Sequence, residues 1–206
     1  MTYKITSYFK EKESFRDSQH SGIDFDMKDG ENLRALEDGV VQIQNYGGEN
    51  AGLVVKIKFN GGDNELIYGH MQDVTVKTGD IVHKGDLIGH SGHSGHVVSS
   101  TGGNGAHLHF GLKNENGEFI NPSGYINDIQ NMNTPQFAQN VADKVQENQD
   151  KIDILKDSPG IYEQIGELFN TLHLIDNTFI IQILKQCSQF FLAHTSFIYS
   201  IITSLI

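Results

Sequence analysis

Apolar and polar residues alternate in short runs through residues 1–112 of the chain. Alternation with a period of two is typical of β-strands that bury one face. The runs end at turn-forming groups such as Asn60-Gly61-Gly62 and Asn116-Gly117. Strands are therefore predicted over residues 3–9, 39–44, 53–59, 65–70 and 106–112. Several short strands at close spacing, without helical periods between them, indicate an antiparallel sheet or an open barrel.

The pattern changes to a helical period after Asn121-Pro122. Spacings of three and four residues, with one polar interruption, connect Ala138, Val141, Val145, Asn148, Ile152 and Leu155. These residues, called the seam below, would form one apolar stripe on a helix. They predict an amphipathic helix over residues 136–157, with a short coiled coil as the alternative. Asp157-Ser158-Pro159 then supplies a stop and a new helix start. A second amphipathic helix is predicted over residues 159–176.

Residues 178–206 form an apolar segment that is poor in charge. Its last 21 residues, 186–206, carry no formal charge and would cover a bilayer core of roughly 30 Å as a helix. The same stretch contains many polar residues, so three alternatives stand: burial in a larger assembly, membrane contact, and an ordinary core helix. The predicted architecture is a mainly β domain, residues 1–125, followed by an α-helical extension, residues 126–206, which makes the chain α+β overall.

Charge and composition narrow the range of partners. The formal net charge is −11, and Arg16 and Arg34 are the only arginines. Nucleic acid is not an expected partner, because phosphate binding needs clustered Lys and Arg. The first 15 residues contain no apolar run of the about seven residues that a signal peptide needs, so no signal peptide is predicted.

Two short histidine patterns carry the candidate chemistry: His20-x-x-x-Asp24 and His107-x-His109. Each pattern is expected by chance about 0.5 to 0.7 times in a chain of this composition, so neither is decisive alone. On a strand, His107 and His109 point to the same face, and a metal or a catalytic task is a natural reason for such a pair. Two exposed strand histidines without a function are the alternative.

The segment Gly22 to Met27 alternates in the same way, so Ile23 and Phe25 are expected in the core while Asp24 and Asp26 face a cleft. A catalytic zinc takes three protein ligands of the nitrogen and oxygen type and keeps a fourth position for water. His20, Asp24 and one of the two strand histidines would supply that set. The remaining strand histidine would then be available for proton transfer.

The order of short motifs resembles that of the lysostaphin-type zinc endopeptidases. The matching words are Ile5-Thr-Ser-Tyr-Phe9, His20-Ser-Gly-Ile-Asp-Phe25, Leu36-Glu-Asp-Gly-Val-Val41, Leu53-Val-Val-Lys-Ile57, Leu66-Ile-Tyr-Gly-His70, Gly79-Asp80, Gly85-Asp-Leu-Ile-Gly89, Thr101-Gly102, Ala106-His-Leu-His-Phe110 and Asn121-Pro122. The resemblance implies an antiparallel β peptidase domain, Zn²⁺ as the cofactor, and bacterial peptidoglycan as the substrate, cut at its peptide cross-links.

The resemblance also implies roles for five residues. His20, Asp24 and His109 match the zinc ligands of the family. His70 and His107 match its two non-ligand histidines, one of which would act as the base while the other would stabilise the oxyanion. Which histidine takes which role stays open. The alternative function is an inactive wall-binding or structural protein of the same fold.

The chain departs from the family pattern in the loop of residues 89–106. The loop is longer than expected, and Ala106 stands where the family usually has proline. Its histidines, His90, His93 and His96, suggest a second metal site, with glycine-rich surface histidines as the alternative. Because such loops wall the cleft, the departures bear on substrate specificity.

The site of action follows from the implied substrate, which lies outside the cytoplasm. Lysis, other export machinery and a bacteriophage particle are the alternative routes to it, and a virion or tail-associated lysin is the preferred interpretation. In this interpretation residues 126–206 dock onto other tail proteins or onto a second copy of the chain. Residues 178–206 are the segment in which membrane contact is predicted.

Overall fold

The computed structural model describes residues 2–12, 18–98 and 103–156, with side chains described up to residue 150. Eleven strands and two α-helices lie within these ranges. They are β1 (Ile5–Ser7), β2 (Gly22–Phe25), β3 (Asn32–Arg34), β4 (Gly39–Asn45), β5 (Leu53–Phe59), β6 (Asn64–Gly69), β7 (Asp73–Val74), β8 (Ile81–Val82), β9 (Leu87–His90), β10 (Leu108–Lys113), β11 (Phe119–Ile120), α1 (Ile126–Asn131) and α2 (Pro135–Lys156).

Two antiparallel sheets form the domain. The larger sheet has the strand order β1-β2-β10-β6-β5-β4-β8, with β11 paired to β10, and the smaller one has the order β3-β9-β7. Every pairing between these strands is antiparallel. The predicted mainly β, antiparallel fold class is confirmed, and β5 covers the same residues, 53–59, as the predicted strand.

The core lies beneath the large sheet and follows the predicted alternation. In β2, Ile23 and Phe25 are almost completely buried, and in β10 Leu108 and Phe110 are fully buried. Each such side chain contributes about 1.5–3 kcal/mol to stability through removal of apolar surface from water. The fully buried Tyr68 adds a polar contact, because its hydroxyl accepts a hydrogen bond from the Leu36 backbone N–H at 3.0 Å. These strands therefore give the site a rigid base.

The first compact unit of the chain extends over Met1–Asp143. It extends past residue 125 because Ile129 of α1, Met132 just after α1, and Phe137 of α2 are buried in the same core as the strands. Pro135 occupies the first turn of α2, and the Thr134 hydroxyl caps it by accepting from the Phe137 backbone N–H at 3.2 Å. The helix agrees with the one predicted over residues 136–157.

The second unit, Lys144–Ile206, is described only as far as Lys156, within α2. The predicted helix over residues 159–176 and the charge-poor segment 178–206 lie outside the described residues. Within the described part of the chain, no helix has the length and apolar character that crossing a membrane requires.

Candidate metal centre

Three adjacent strands bring the predicted site residues together. β10 lies between β2 and β6, with His109 opposite Asp24 on one side and opposite Gly69 on the other. His20 precedes β2, and His70 follows directly after β6. Sequence positions more than 80 residues apart therefore meet on one face of the sheet, with Asp24 and His109 on the face that the alternation within each strand predicts.

The ligand atoms of His20, Asp24 and His109 converge on one point. Asp24 Oδ1 lies 3.0 Å from His20 Nε2 and 2.8 Å from His109 Nδ1, and the two nitrogens are 3.0 Å apart. Tetrahedral zinc with bonds of 2.0–2.1 Å would hold its ligand atoms about 3.4 Å apart, so a small expansion accommodates the ion. This is the one group of three metal-ligating side chains found among the described residues.

The contacts behind His20 identify which of its nitrogens faces the centre. His20 Nδ1 lies 3.0 Å from the Tyr8 carbonyl oxygen and 3.0 Å from the Ser7 hydroxyl. A carbonyl only accepts, so Nδ1 carries the proton and the lone pair of Nε2 points toward Asp24. A lone pair aimed at a carboxylate is repulsive unless a cation lies between them, and a backbone acceptor behind a histidine is typical of metal sites. The residues present therefore fit a zinc ion.

Burial and charge set the electrostatics of the centre. The Asp24 side chain is 5% exposed; burial by itself raises the pKa of this carboxyl, but the close contacts with the His109 and His20 imidazoles outweigh it and hold the pKa below its usual range. Burial lowers the pKa of His109, against the opposing effect of Asp24. The metal-free centre therefore presents an anionic carboxylate beside neutral imidazole nitrogen, which is the protonation state that metal binding requires.

The two other predicted histidines lie beside the centre, with their rings 4.4 Å apart between centroids. His70 Nδ1 donates to the Ser94 carbonyl at 2.8 Å, and His107 Nδ1 donates to the Gly105 carbonyl at 2.7 Å. In the neutral state each ring therefore keeps a lone pair on Nε2. The Nε2 atom of His107 lies 4.0 Å from Asp24 Oδ1. Burial, with the neighbouring His107, lowers the pKa of His70 to about 4. His70 is therefore neutral at pH 7 and able to accept a proton.

The local backbone differs in two respects from the prediction. β10 begins at Leu108, and His107 is held by an isolated bridge to Gly92 instead of a continuous strand from residue 106. His70 adopts a left-handed backbone conformation, with φ of 59°. Such a conformation is uncommon for a residue with a side chain and is concentrated at functional sites.

A cleft of about 1230 Å³ opens above the centre. Its walls come from residues 18–21, from the β4–β5 loop at residues 48–51, and from the loop that contains His96, Val98 and residues 103–107. Asp26 lines the cleft and is exposed, as the strand pattern predicts. The cleft is open to solvent and is lined largely by small and polar residues, so it accepts an extended chain more readily than a bulky apolar ligand.

The histidines of the 89–106 loop have partners other than a metal. His90 Nδ1 lies 2.6 Å from Asp73 Oδ1, and His93 Nδ1 lies 2.8 Å from Asp29 Oδ1. With His96, they form no further group of three ligands within the described residues. The pairs with single carboxylates agree with the alternative of surface histidines.

Sequence reasoning missed the groups that orient the histidines. These are mainly backbone carbonyls, of Tyr8, Ser94 and Gly105. A carbonyl is present at every residue, so no residue-type pattern distinguishes the ones that accept from histidine. The structure thus brings all five predicted residues into one cleft, while their individual roles stay predictions.

Comparison with known proteins gives the family. The model of peptidase family M23 matches residues 18–122, just over half of the chain. The chain is 40% identical over 95 residues to the glycyl-glycine endopeptidase ALE-1 of Staphylococcus capitis, covering 44% of this chain and 24% of that protein. It spans between 17% and 28% of the length of the curated relatives that it matches.

Two solved structures agree with this match. The catalytic domain of the antimicrobial peptidase lysostaphin from Staphylococcus simulans superposes with a TM-score of 0.51 and 29% identity, over 61% of this chain and 92% of that one. A zinc containing peptidase from Vibrio cholerae superposes with a TM-score of 0.50 and 28% identity, over 58% of this chain and 36% of that one. The matched residues include the five predicted site residues, His20, Asp24, His70, His107 and His109, and the chain belongs to peptidase family M23.

Proposed function

We propose that this chain is a zinc-dependent endopeptidase that hydrolyses peptide cross-links in bacterial peptidoglycan. The observation that carries the proposal is the convergence of His20, Asp24 and His109 in a cleft where His70 and His107 also present their Nε2 atoms. Membership of the M23 family and the similarity to a glycyl-glycine endopeptidase support the same function.

The residues divide into a binding set and a proton-transfer set. His20 Nε2, Asp24 Oδ1 and His109 Nδ1 would hold the ion, and zinc bound there supplies the Lewis acidity that activates water and polarises a carbonyl. His70 or His107 accepts the proton of the attacking water at Nε2 and returns it to the leaving amine. The other ring donates a hydrogen bond to the developing oxyanion once its Nε2 is protonated.

A cell-wall digestion assay tests this function. Purified protein is incubated with isolated peptidoglycan, and new amino groups are followed against new reducing sugars, with chelator and with zinc restored. We expect amines that depend on zinc and no reducing sugars. His109→Ala should abolish them, whereas His83→Ala, at a histidine whose side chain is 60% exposed, should not.

Two results would contradict the proposal. If walls from several species yield no amines in the presence of zinc, the alternative of an inactive wall-binding or structural protein takes its place. If His109→Ala retains full activity, the peptidase centre lies elsewhere. Mass spectrometry of the products distinguishes cleavage within a glycine bridge from cleavage within a stem peptide.

We further propose that the helical extension attaches the enzyme to a larger assembly, with a bacteriophage tail as the preferred setting. The support is α2, which continues beyond the first compact unit with residues 142–150 exposed. Val145, on the predicted seam, is 64% exposed. An enzyme on a tail would reach peptidoglycan from outside the cell. Membrane contact by residues 178–206 stays a prediction.

Sedimentation of the full chain tests the assembly role. If the seam is an interface, Val145→Asp should shift the full chain from an oligomer toward a monomer, because a charge in an apolar contact is costly. Asn140→Asp, on the solvated side of the same helix, is the matched control. A full chain that is monomeric at all concentrations and binds no tail protein would remove the support for this role.

A further inference from the structure

The segment of residues 91–96 contacts both histidines of the proton-transfer set. The Ser94 carbonyl accepts the Nδ1 proton of His70 at 2.8 Å. The Gly92 carbonyl accepts from the His107 backbone N–H at 3.1 Å. Within the described chain this segment therefore holds the ring of His70 and the backbone of His107, while the His107 ring donates to the Gly105 carbonyl.

The hydrogen bond from His70 to the Ser94 carbonyl also determines the tautomer of the His70 ring. A neutral imidazole has one proton, and the Ser94 carbonyl holds it on Nδ1, which leaves the Nε2 lone pair directed into the cleft. The opposite tautomer would present an N–H there and would not accept a proton. His70 has a left-handed backbone conformation, and its backbone N–H donates to the Ala51 carbonyl at 2.7 Å.

The Ser94 carbonyl is itself held by the side chain of the same residue. The Ser94 hydroxyl accepts from the Leu53 backbone N–H, at the start of β5, at 2.9 Å. Beside it the backbones of Gly52 and Gly95 touch: a Cβ on Gly52 would lie 2.3 Å from the Ser94 carbonyl carbon. The segment is thus held against the β4–β5 loop by the Ser94 hydroxyl, by this close backbone contact, and by the hydrogen bond from the His96 backbone N–H to the Asn50 carbonyl at 2.9 Å.

We propose that Ser94 is a positioning residue for His70, which it acts on without touching the substrate. Its hydroxyl anchors the segment to β5, and its carbonyl selects the tautomer of His70 that accepts a proton. This inference rests on the proposed peptidase function for its effect on rate. Its effect on the tautomer is independent of activity.

Three variants of the full chain test the proposal. Ser94→Ala keeps the backbone carbonyl but removes the hydroxyl that anchors it, and Ser94→Thr restores a hydroxyl. Thr78→Ala is the matched control, because the Thr78 hydroxyl also accepts a strand N–H, that of Ile43, at 2.9 Å, but outside the cleft. Zinc content, kcat and KM are measured for each variant. The tautomer of His70 is read from the ¹⁵N shifts of its ring in metal-free protein.

For Ser94→Ala we expect kcat to fall about 10-fold, the size of effect that loss of one positioning hydrogen bond produces, with KM and zinc content within about twofold of the unmodified chain. Ser94→Thr should recover most of kcat, and Thr78→Ala should leave it unchanged. The His70 ring should change from the Nδ1–H form to a mixture in Ser94→Ala alone.

An unchanged tautomer in Ser94→Ala, or a loss of kcat equal to that in Thr78→Ala, would overturn the proposal. So would a loss of zinc from Ser94→Ala, since the effect would then lie in the metal centre. Should the unmodified chain hydrolyse no peptidoglycan, the proposed function fails, and the ring shifts still decide whether Ser94 orients His70.

Discussion

Gly22 lies between two of the proposed zinc ligands, His20 and Asp24, on strand β2, which pairs with β10. A Cβ added at Gly22 would lie 2.3 Å from the Phe110 carbonyl oxygen and 2.9 Å from His109 Cε1. Ordinary contact begins at 3.4 Å, so Gly22→Ala must move the two strands apart by about 1 Å. A metal site tolerates changes of about 0.2 Å in its ligand distances, so this displacement separates Asp24 from His109.

The expected effect of Gly22→Ala is a loss of both stability and zinc affinity. Overpacking against a backbone atom costs about 1–3 kcal/mol, which exceeds the 0.5–1 kcal/mol that alanine gains over glycine in a strand. Zinc affinity should fall by about 100-fold or more, the upper range for disturbed support of ligands. The measurements are urea unfolding of the metal-free protein and competition for zinc with a fluorescent chelator.

Gly111 supplies the matched control, because it is the cross-strand partner of Gly22 in the same pair of strands. A Cβ there meets its nearest neighbours, Ile67 and Phe119, at 3.5 Å, which is ordinary contact. Gly111→Ala should therefore change stability by less than about 1 kcal/mol and leave zinc binding intact. If the two variants bound zinc equally well and unfolded at the same urea concentration, the steric reasoning would be refuted.

Three further predictions concern the metal, the pH and the helices. Zinc at 100 times its Kd should stabilise the protein by about 2.7 kcal/mol in thermal unfolding, and Asp24→Asn should remove that increment. An equal increment in the unmodified protein and in Asp24→Asn would contradict the ligand role of Asp24. The pKa of His70 is depressed to about 4 from an unfolded value near 6.5, so the unfolded state binds the extra proton between these values. The metal-free protein should therefore lose up to about 3 kcal/mol as pH falls from 7 to 4, and urea unfolding of His70→Asn should show a smaller loss. Phe137→Ala should destabilise by about 3–5 kcal/mol, and a cost under 1 kcal/mol would mean that α2 is not part of the core.

The sequence was most informative where a strand buries one face and exposes the other. In β2 and β10 the alternation of apolar and polar residues predicted both the core residues Ile23 and Phe110 and the cleft residues Asp24 and His109. The period of two fixes these faces because adjacent side chains on a strand point in opposite directions. The resemblance of the motif order to the lysostaphin-type family then implied that these two segments contribute ligands to the same site.

The arrangement of the strands could not be obtained in the same way. Alternation within β10 does not reveal that it lies between β2 and β6, since partners in a sheet are set by the packing of the whole domain. Strands of two or three residues, such as β7 and β8, are too short to show a period. The boundary predicted at residue 125 precedes the end of the compact unit. The apolar spacing in α2 predicts that one face of the helix is buried, but it does not show that the β domain is what buries it.

The pairing of β2 with β10 has a consequence for how the protein is made. The hydrogen bond between Asp24 and His109 joins residues 85 positions apart, so the proposed zinc ligands meet only after most of the domain has been synthesised. Contacts of such long sequence separation form slowly, because the chain between them must first be ordered. A nascent or partly folded chain therefore has no assembled metal site. The proposed peptidase activity should consequently appear together with the completed sheet and not before it.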